Sequence, residues 1–293
     1  MDERFTLTGP RTPLPPPPVK RPWHEGKPVA AMVTLAAIVL GCLGCELFIP
    51  KDPAYMDLFR PSEAPGPAFW FGSDPMGRDI FSMIWYGGRV SLLIGFLSAG
   101  ISTALAALFG TVSGLAPRRL DELLMRLTEI FLSIPSLLLI VLLQAVLGKA
   151  GVVSLSVVIG VTGWTGMAKV VRAEVRRLRE SEYVLAARCM GAGFFHVLRR
   201  HLAPNFFSSI MFMAVMSIRS AIAAESTLSF MGLGLPLEVV SWGSMLSLAE
   251  KALLSGAWWI ILIPGAFLVV TLLCVTSIGS WLRGEGNDQG SNL

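Results

Sequence analysis

Six separate stretches of this chain are apolar for about 20 residues or more, each long enough to cross the hydrocarbon core of a bilayer as a helix. They run over residues 29–49, 90–115, 123–147, 152–170, 206–230 and 257–282. Inside lipid every backbone N–H and C=O needs a partner within the protein, and a single helix supplies one by itself. Core helices of water-soluble domains are rarely this long and this apolar six times over. Composition agrees: 53% of residues are hydrophobic, 15% are charged and the mean hydropathy is +0.64. The expected fold class is therefore all-α, a polytopic membrane protein with six transmembrane helices.

The basic residues fall on alternate connections. Arg4, Arg11, Lys20, Arg21 and Lys27 precede the first stretch, and Arg118 and Arg119 stand between the second and third, with Arg126 just inside the third. Lys169, Arg172, Arg176, Arg177, Arg179, Arg188, Arg199 and Arg200 stand between the fourth and fifth. The other loops are poorer, with Lys51, Arg60 and Arg78 in one and Lys149 and Lys251 alone in the others. The positive-inside rule places both termini and the 171–205 connection in the cytoplasm. Topology accounts for these basic runs, so no nucleic-acid partner is expected. Cys42, Cys45, Cys189 and Cys274 lie in or beside apolar segments and read as small packing residues.

Residues 1–28 hold Pro13 and the run 15–18 without apolar periodicity, and read as a disordered proline-rich cytoplasmic tail. No cleavable leader is evident, the first apolar stretch (29–49) being too long and lacking a small-residue cleavage pattern. An external loop over 50–88 follows. Within it Asp74-Pro75 fits a helix N-cap and first position, and Ile80, Phe81, Ile84 and Trp85 recur at helical spacing. A short amphipathic helix along the membrane surface is expected there, ahead of a transmembrane core over 89–283 and a cytoplasmic tail over 284–293. Pro135 should kink the third span and Pro264 the sixth. Gly110-x-x-x-Gly114 permits close approach of a neighbouring helix.

One segment has no role in crossing a bilayer: Glu182-Tyr-Val-Leu-Ala-Ala-Arg-Cys-Met-Gly191, continuing to His201-Leu-Ala-Pro204-Asn205. Ser181 and Glu182 begin a helix whose Ala186 and Ala187 keep one surface shallow, so that another protein's backbone can approach. Gly191 and Gly193 interrupt it. Phe194, Val197, Leu198 and Leu202 give the next turns an apolar face, and Pro204 closes them. Two short helices set at an angle in the cytoplasm can transmit a push from a partner in water.

Arg219 and Glu225 fall inside the fifth stretch, where an unpaired charge is costly. Six positions apart, they point to different sides of a helix, so each needs its own partner, a wet pathway or a gating role. No catalytic set of Ser, His and acidic residues assembles, no metal-ligand spacing surrounds His201, and no phosphate-binding G-x-x-x-x-G-K-[ST] loop is present.

The 182–205 segment resembles the EAA loop of permease subunits from ATP-binding-cassette importers, at Glu182, Ala186, Ala187, Gly191, His201, Pro204 and Asn205. Other blocks resemble the dipeptide/oligopeptide/nickel branch of that family. They are Gly72-Ser-Asp-Pro-Met-Gly-Arg-Asp79, Tyr86-Gly-Gly-Arg-Val-Ser-Leu92, Asp121-Glu-Leu-Leu-Met-Arg126 with Ile134-Pro135-Ser136, Glu225-Ser-Thr-Leu-Ser-Phe-Met-Gly-Leu-Gly234 and Ser241-Trp-Gly-Ser-Met-Leu246. The chain departs from the branch after residue 276, where its Asn-x-x-Gly-Asp pattern is missing. The resemblance implies a subunit, itself not an enzyme, that forms half of a translocation pathway for short peptides in the cell inner membrane. Its implied partners are a second, non-identical permease subunit, two cytoplasmic ATP-binding subunits and an external solute-binding protein. ATP and magnesium would be bound by the ATPase subunits and no cofactor by this chain. Nickel or a metal chelate is the alternative substrate. An ATP-independent carrier or channel is the alternative of a different class, one with no need for the 182–205 segment.

Overall fold

The computed structural model describes residues 27–49, 52–148, 151–182, 184, 189–190, 203–236, 238–249, 252 and 256–290, without the side chains of 48, 203–209 and 284–290. Residues 1–26 of the proline-rich tail lie outside the described residues. Among the described residues eight helices follow in order: α1 (Val29–Phe48), α2 (Ile80–Leu115), α3 (Arg118–Ser133), α4 (Ser136–Leu147), α5 (Val152–Arg179), α6 (Ala203–Phe230), α7 (Trp242–Leu246) and α8 (Trp259–Gly290). Five of them, α1, α2, α5, α6 and α8, are long and apolar enough to span a membrane. A sixth crossing exists only as the pair α3–α4, bent by 92°.

The broken pair differs from the single kinked helix expected over 123–147. Pro135 has no N–H to donate, and its ring disfavours helical geometry in the residue before it. Ile134 accordingly lies at φ −95°, ψ 129°, ending α3, while Pro135 itself stands at the N-cap of α4. Pro264 does lie within a continuous helix, α8.

A second difference concerns residues 80–88, which form no separate surface helix. They are the first turns of α2, a helix of 36 residues, which at 1.5 Å per residue is about 54 Å long. Its N-cap is Asp79, whose Oδ2 accepts from Ser82 N at 3.1 Å. Asp74 instead folds the loop ahead of it. Its carboxylate accepts from the N–H groups of Met76 and Arg78 at 2.8 Å and from Arg78 Nε at 2.7 Å, and both side chains are buried. Trp259 at the start of α8 donates to Ser73 O at 3.2 Å and ties this loop to the bundle.

Gly77 turns that loop at φ +73°, and a Cβ there would stand 1.9 Å from the carbonyl oxygen of Asp57. Replacing Gly77 with alanine adds both a left-handed strain and a backbone collision, and should destabilise the loop by more than ~1 kcal/mol. Limited proteolysis of the solubilised protein should then cut within 52–79 faster than in the wild type.

α2 is the central element, and its seam with α5 is the most extensive of the helix contacts. Gly110 and Gly114 make that seam possible. Cβ atoms on them would come within 2.6 Å of Val171 Cβ and 2.8 Å of Val175 Cγ1. Along the same seam Ser98 Oγ donates to Ser156 O at 3.0 Å and Ser102 Oγ to Gly160 O at 2.8 Å, so the hydroxyls are satisfied without water. One apolar core joins α1, α2, α7 and α8 around Trp242, and others lie between α2 and α5 and between α4, α5 and α6.

Candidate coupling and pathway site

The connection between α5 and α6 is anchored by a charge cluster. α5 ends in Arg172, Arg176, Arg177 and Arg179. Residues 172 and 176, one turn apart, share a face. Both reach one carboxylate, that of Asp121 in the first turn of α3. Arg172 clasps it from two nitrogens, with Nη2 at 2.6 Å from Oδ2, and Arg176 Nη2 is also 2.6 Å from Oδ2. Ser113 Oγ of α2 donates to Oδ1. The Asp121 side chain is 3% exposed, and those of Arg172 and Arg176 are 26% and 39% exposed. The cluster locks three helices together where α5 leaves the bundle. A second, weaker tie joins Lys169 to Glu129 at 3.8 Å.

Beyond α5 the chain turns at Ser181, whose N–H and Oγ both donate to Leu178 O. Glu182 is exposed, whereas Val184 is fully buried in the α2–α5 core. Cys189 and Met190 are exposed. Ala186, Ala187, Gly191 and His201 lie outside the described residues. Pro204 lies in the first turn of α6, where its missing N–H costs nothing; the helix it was expected to close lies outside the described residues.

Deeper in the bundle Glu225 of α6 is 0% exposed and caged by four hydroxyls. Ser229 and Ser241 donate to Oε1 at 3.0 and 2.7 Å, and Ser91 and Ser226 donate to Oε2 at 3.1 and 3.3 Å. Three of these hydroxyl oxygens accept from a backbone N–H in turn: Ser91 from Trp242, Ser229 from Leu235 and Ser241 from Ser244. Each such serine is oriented with its proton toward the carboxylate. Glu225 thereby joins α2, α6 and the N-cap of α7.

Arg219 forms no pair with Glu225. Its Nε is buried without a hydrogen-bond partner among the described residues. Of the eight residues singled out in the sequence, the structure therefore gives a complete environment to Glu225, places Glu182 at the surface and leaves Arg219 unmatched. The Asp121 cluster was not singled out as a site: Asp121 and Arg172 are 51 residues apart. The available signal was an acidic residue held beside an otherwise basic loop. Among the described residues no group of three His, Cys, Asp or Glu side chains is placed to hold a metal ion.

The chain is a bundle of helices long and apolar enough to span a membrane, with a basic connection between two of them anchored at Asp121. The chain belongs to the family of binding-protein-dependent transport system inner membrane components, whose model matches residues 106–283. It is 35% identical over 251 residues to the dipeptide transport system permease protein of Bacillus subtilis (strain 168), covering 86% of this chain and 78% of that protein. It is 34% identical over 255 residues to the oligopeptide transport system permease protein of the same organism, covering 87% and 83%. It is also 33% identical over 278 residues to the di/tripeptide transport system permease protein of Pseudomonas aeruginosa (strain UCBPP-PA14), covering 92% and 91%.

Proposed function

We propose that this chain is a permease subunit of an ATP-driven importer of short peptides, forming half of the translocation pathway in the cell inner membrane with both termini in the cytoplasm. The observation that carries this reading is the anchored α5–α6 connection in a chain of this family: Arg172 and Arg176 fasten the end of α5 to Asp121, so force applied beyond Arg179 reaches α2 and α3. The peptide substrate follows from relatives named as dipeptide, oligopeptide and di/tripeptide permeases. A second permease subunit completes the pathway and an external binding protein delivers the solute. Two ATPase subunits, which hold the ATP and magnesium, close against the segment around Glu182, Ala186, Ala187, Gly191, His201 and Pro204. This chain contributes no catalytic group. It shifts between inward- and outward-facing states because the ATPase contacts it differently in each.

Replacing Gly191 with tryptophan tests the coupling. Uptake by the reconstituted complex should fall at least about tenfold, with membrane insertion of the chain unchanged. Unaltered ATP-dependent uptake would remove the segment from the mechanism, and peptide movement by this chain alone would remove the ATPase.

A further inference from the structure

Arg219 lies in the middle of α6, about 14 Å from the Ile210 end of the span and about 17 Å from the Phe230 end at 1.5 Å per residue. An unpaired cation at mid-membrane depth faces a wet cavity or awaits a partner. Among the described residues no carboxylate pairs with it. Glu225 is already saturated by four hydroxyls, and the Arg219 side chain is half-buried with its Nε shielded and unpartnered among the described residues.

The neighbouring surface shows which kind of environment the guanidinium meets. Exposed positions on α1 and α8 include Leu40, Leu43, Leu262 and Leu273, as suits contact with lipid chains. At the depth of Arg219 the exposed position of α6 is Ser220 instead, the next residue along the helix.

We propose that Arg219 binds the carboxylate of the solute in transit, receiving the C-terminal carboxylate of a peptide as it passes the centre of the membrane. The inference rests on the peptide-importer reading above. The planar guanidinium matches a carboxylate through two parallel N–H donors, and the group it recognises is common to every unmodified peptide whatever its side chains. One fixed cation can therefore serve a pathway that accepts many sequences.

The test uses the complete transporter in proteoliposomes, with its binding protein, and compares one dipeptide as its free acid and as its C-terminal amide. R219Q should lower kcat/KM for the free acid by about tenfold or more and that for the amide by less than about twofold, with R219K intermediate for the free acid. The binding protein's own preference is the same for every variant and cancels in the ratio. Equal loss for both peptides would overturn the inference and assign Arg219 to packing or to a carboxylate of the second permease subunit. Loss for neither would overturn it as well. If R219Q does not assemble, as judged by size-exclusion chromatography, the R219K ratio decides by the same criterion. If the wild-type transporter moves neither peptide with ATP, the peptide reading fails and takes the inference with it. A wild type that moves both peptides while R219Q fails to discriminate removes the inference alone.

Discussion

Replacing Glu225 with glutamine is expected to destabilise the subunit by about 1–3 kcal/mol, although the two side chains have nearly the same shape. Each carboxylate oxygen accepts from two serines, Ser229 and Ser241 at Oε1 and Ser91 and Ser226 at Oε2. Whichever way the amide is turned, its NH2 faces two hydroxyl protons. Ser91, Ser229 and Ser241 cannot simply reverse, because their oxygens already accept backbone N–H groups. The amide settles with its NH2 on the Oε2 side, where Ser226 accepts no backbone N–H and can turn, so one buried donor, Ser91, loses its acceptor at about 1–3 kcal/mol. The measurement is the melting temperature of the purified complex. Ser226→Ala serves as the comparison: its bond to Glu225 is the longest of the four, 3.3 Å, and its loss should cost under about 1 kcal/mol. A glutamine variant as stable as the wild type would mean that the serine cage does not hold α7 against the bundle.

Replacing Asp121 with asparagine should cost about 2–4 kcal/mol and loosen the end of α5. The substitution leaves Arg172 and Arg176 side by side without their shared counter-charge. Breaking a fully buried pair costs about 3–5 kcal/mol, and the figure here is discounted because both guanidinia reach solvent in part. Salt separates the two cases. At 1 M ionic strength the screening length is about 3 Å, so the repulsion between the arginines weakens and the Asp121→Asn deficit should shrink. The Glu225→Gln deficit, sealed inside the bundle, should not. Uptake by Asp121→Asn should fall further than its stability alone explains if the cluster carries force from the connection beyond Arg179.

Hydropathy alone located α1, α5, α6 and α8, because an apolar run of such length has few other ways to satisfy its backbone. It misplaced the start of α2 by about ten residues for a definite reason. Gly87, Gly88 and Arg89 interrupt the apolar run, and a charge within a span argues against it. The interruption is satisfied from another helix: Arg89 binds Glu46 at 2.6 Å and donates to the carbonyl oxygens of Cys42 and Leu43 at 3.0 and 2.9 Å. Gly88 lets Cys42 and Trp242 close in. None of those partners is near in sequence.

The same limit applies to the site. Glu225 stood out as a charge in a span, but Ser91, 134 residues away, did not. Three of the blocks that carried the family resemblance meet at this one carboxylate, through Ser91, through Glu225 to Ser229, and through Ser241 and Trp242. Their shared function is to fix α7 against α2 and α6. Sequence blocks showed that these residues matter together, and only the fold shows that they touch.

The right-angled break at Pro135 bears on how the protein is made. α4 has 12 residues, about 18 Å of helix, against a hydrocarbon core of about 30 Å. Such a segment is too short to be recognised and released into lipid by itself during synthesis. Gly148 and Gly151 bound the short link to α5, against which α4 packs through Ile140 and Leu155. α4 must therefore leave the insertion machinery together with α5 as a hairpin, and a ribosome stalled between them would hold a nascent chain with one crossing too few.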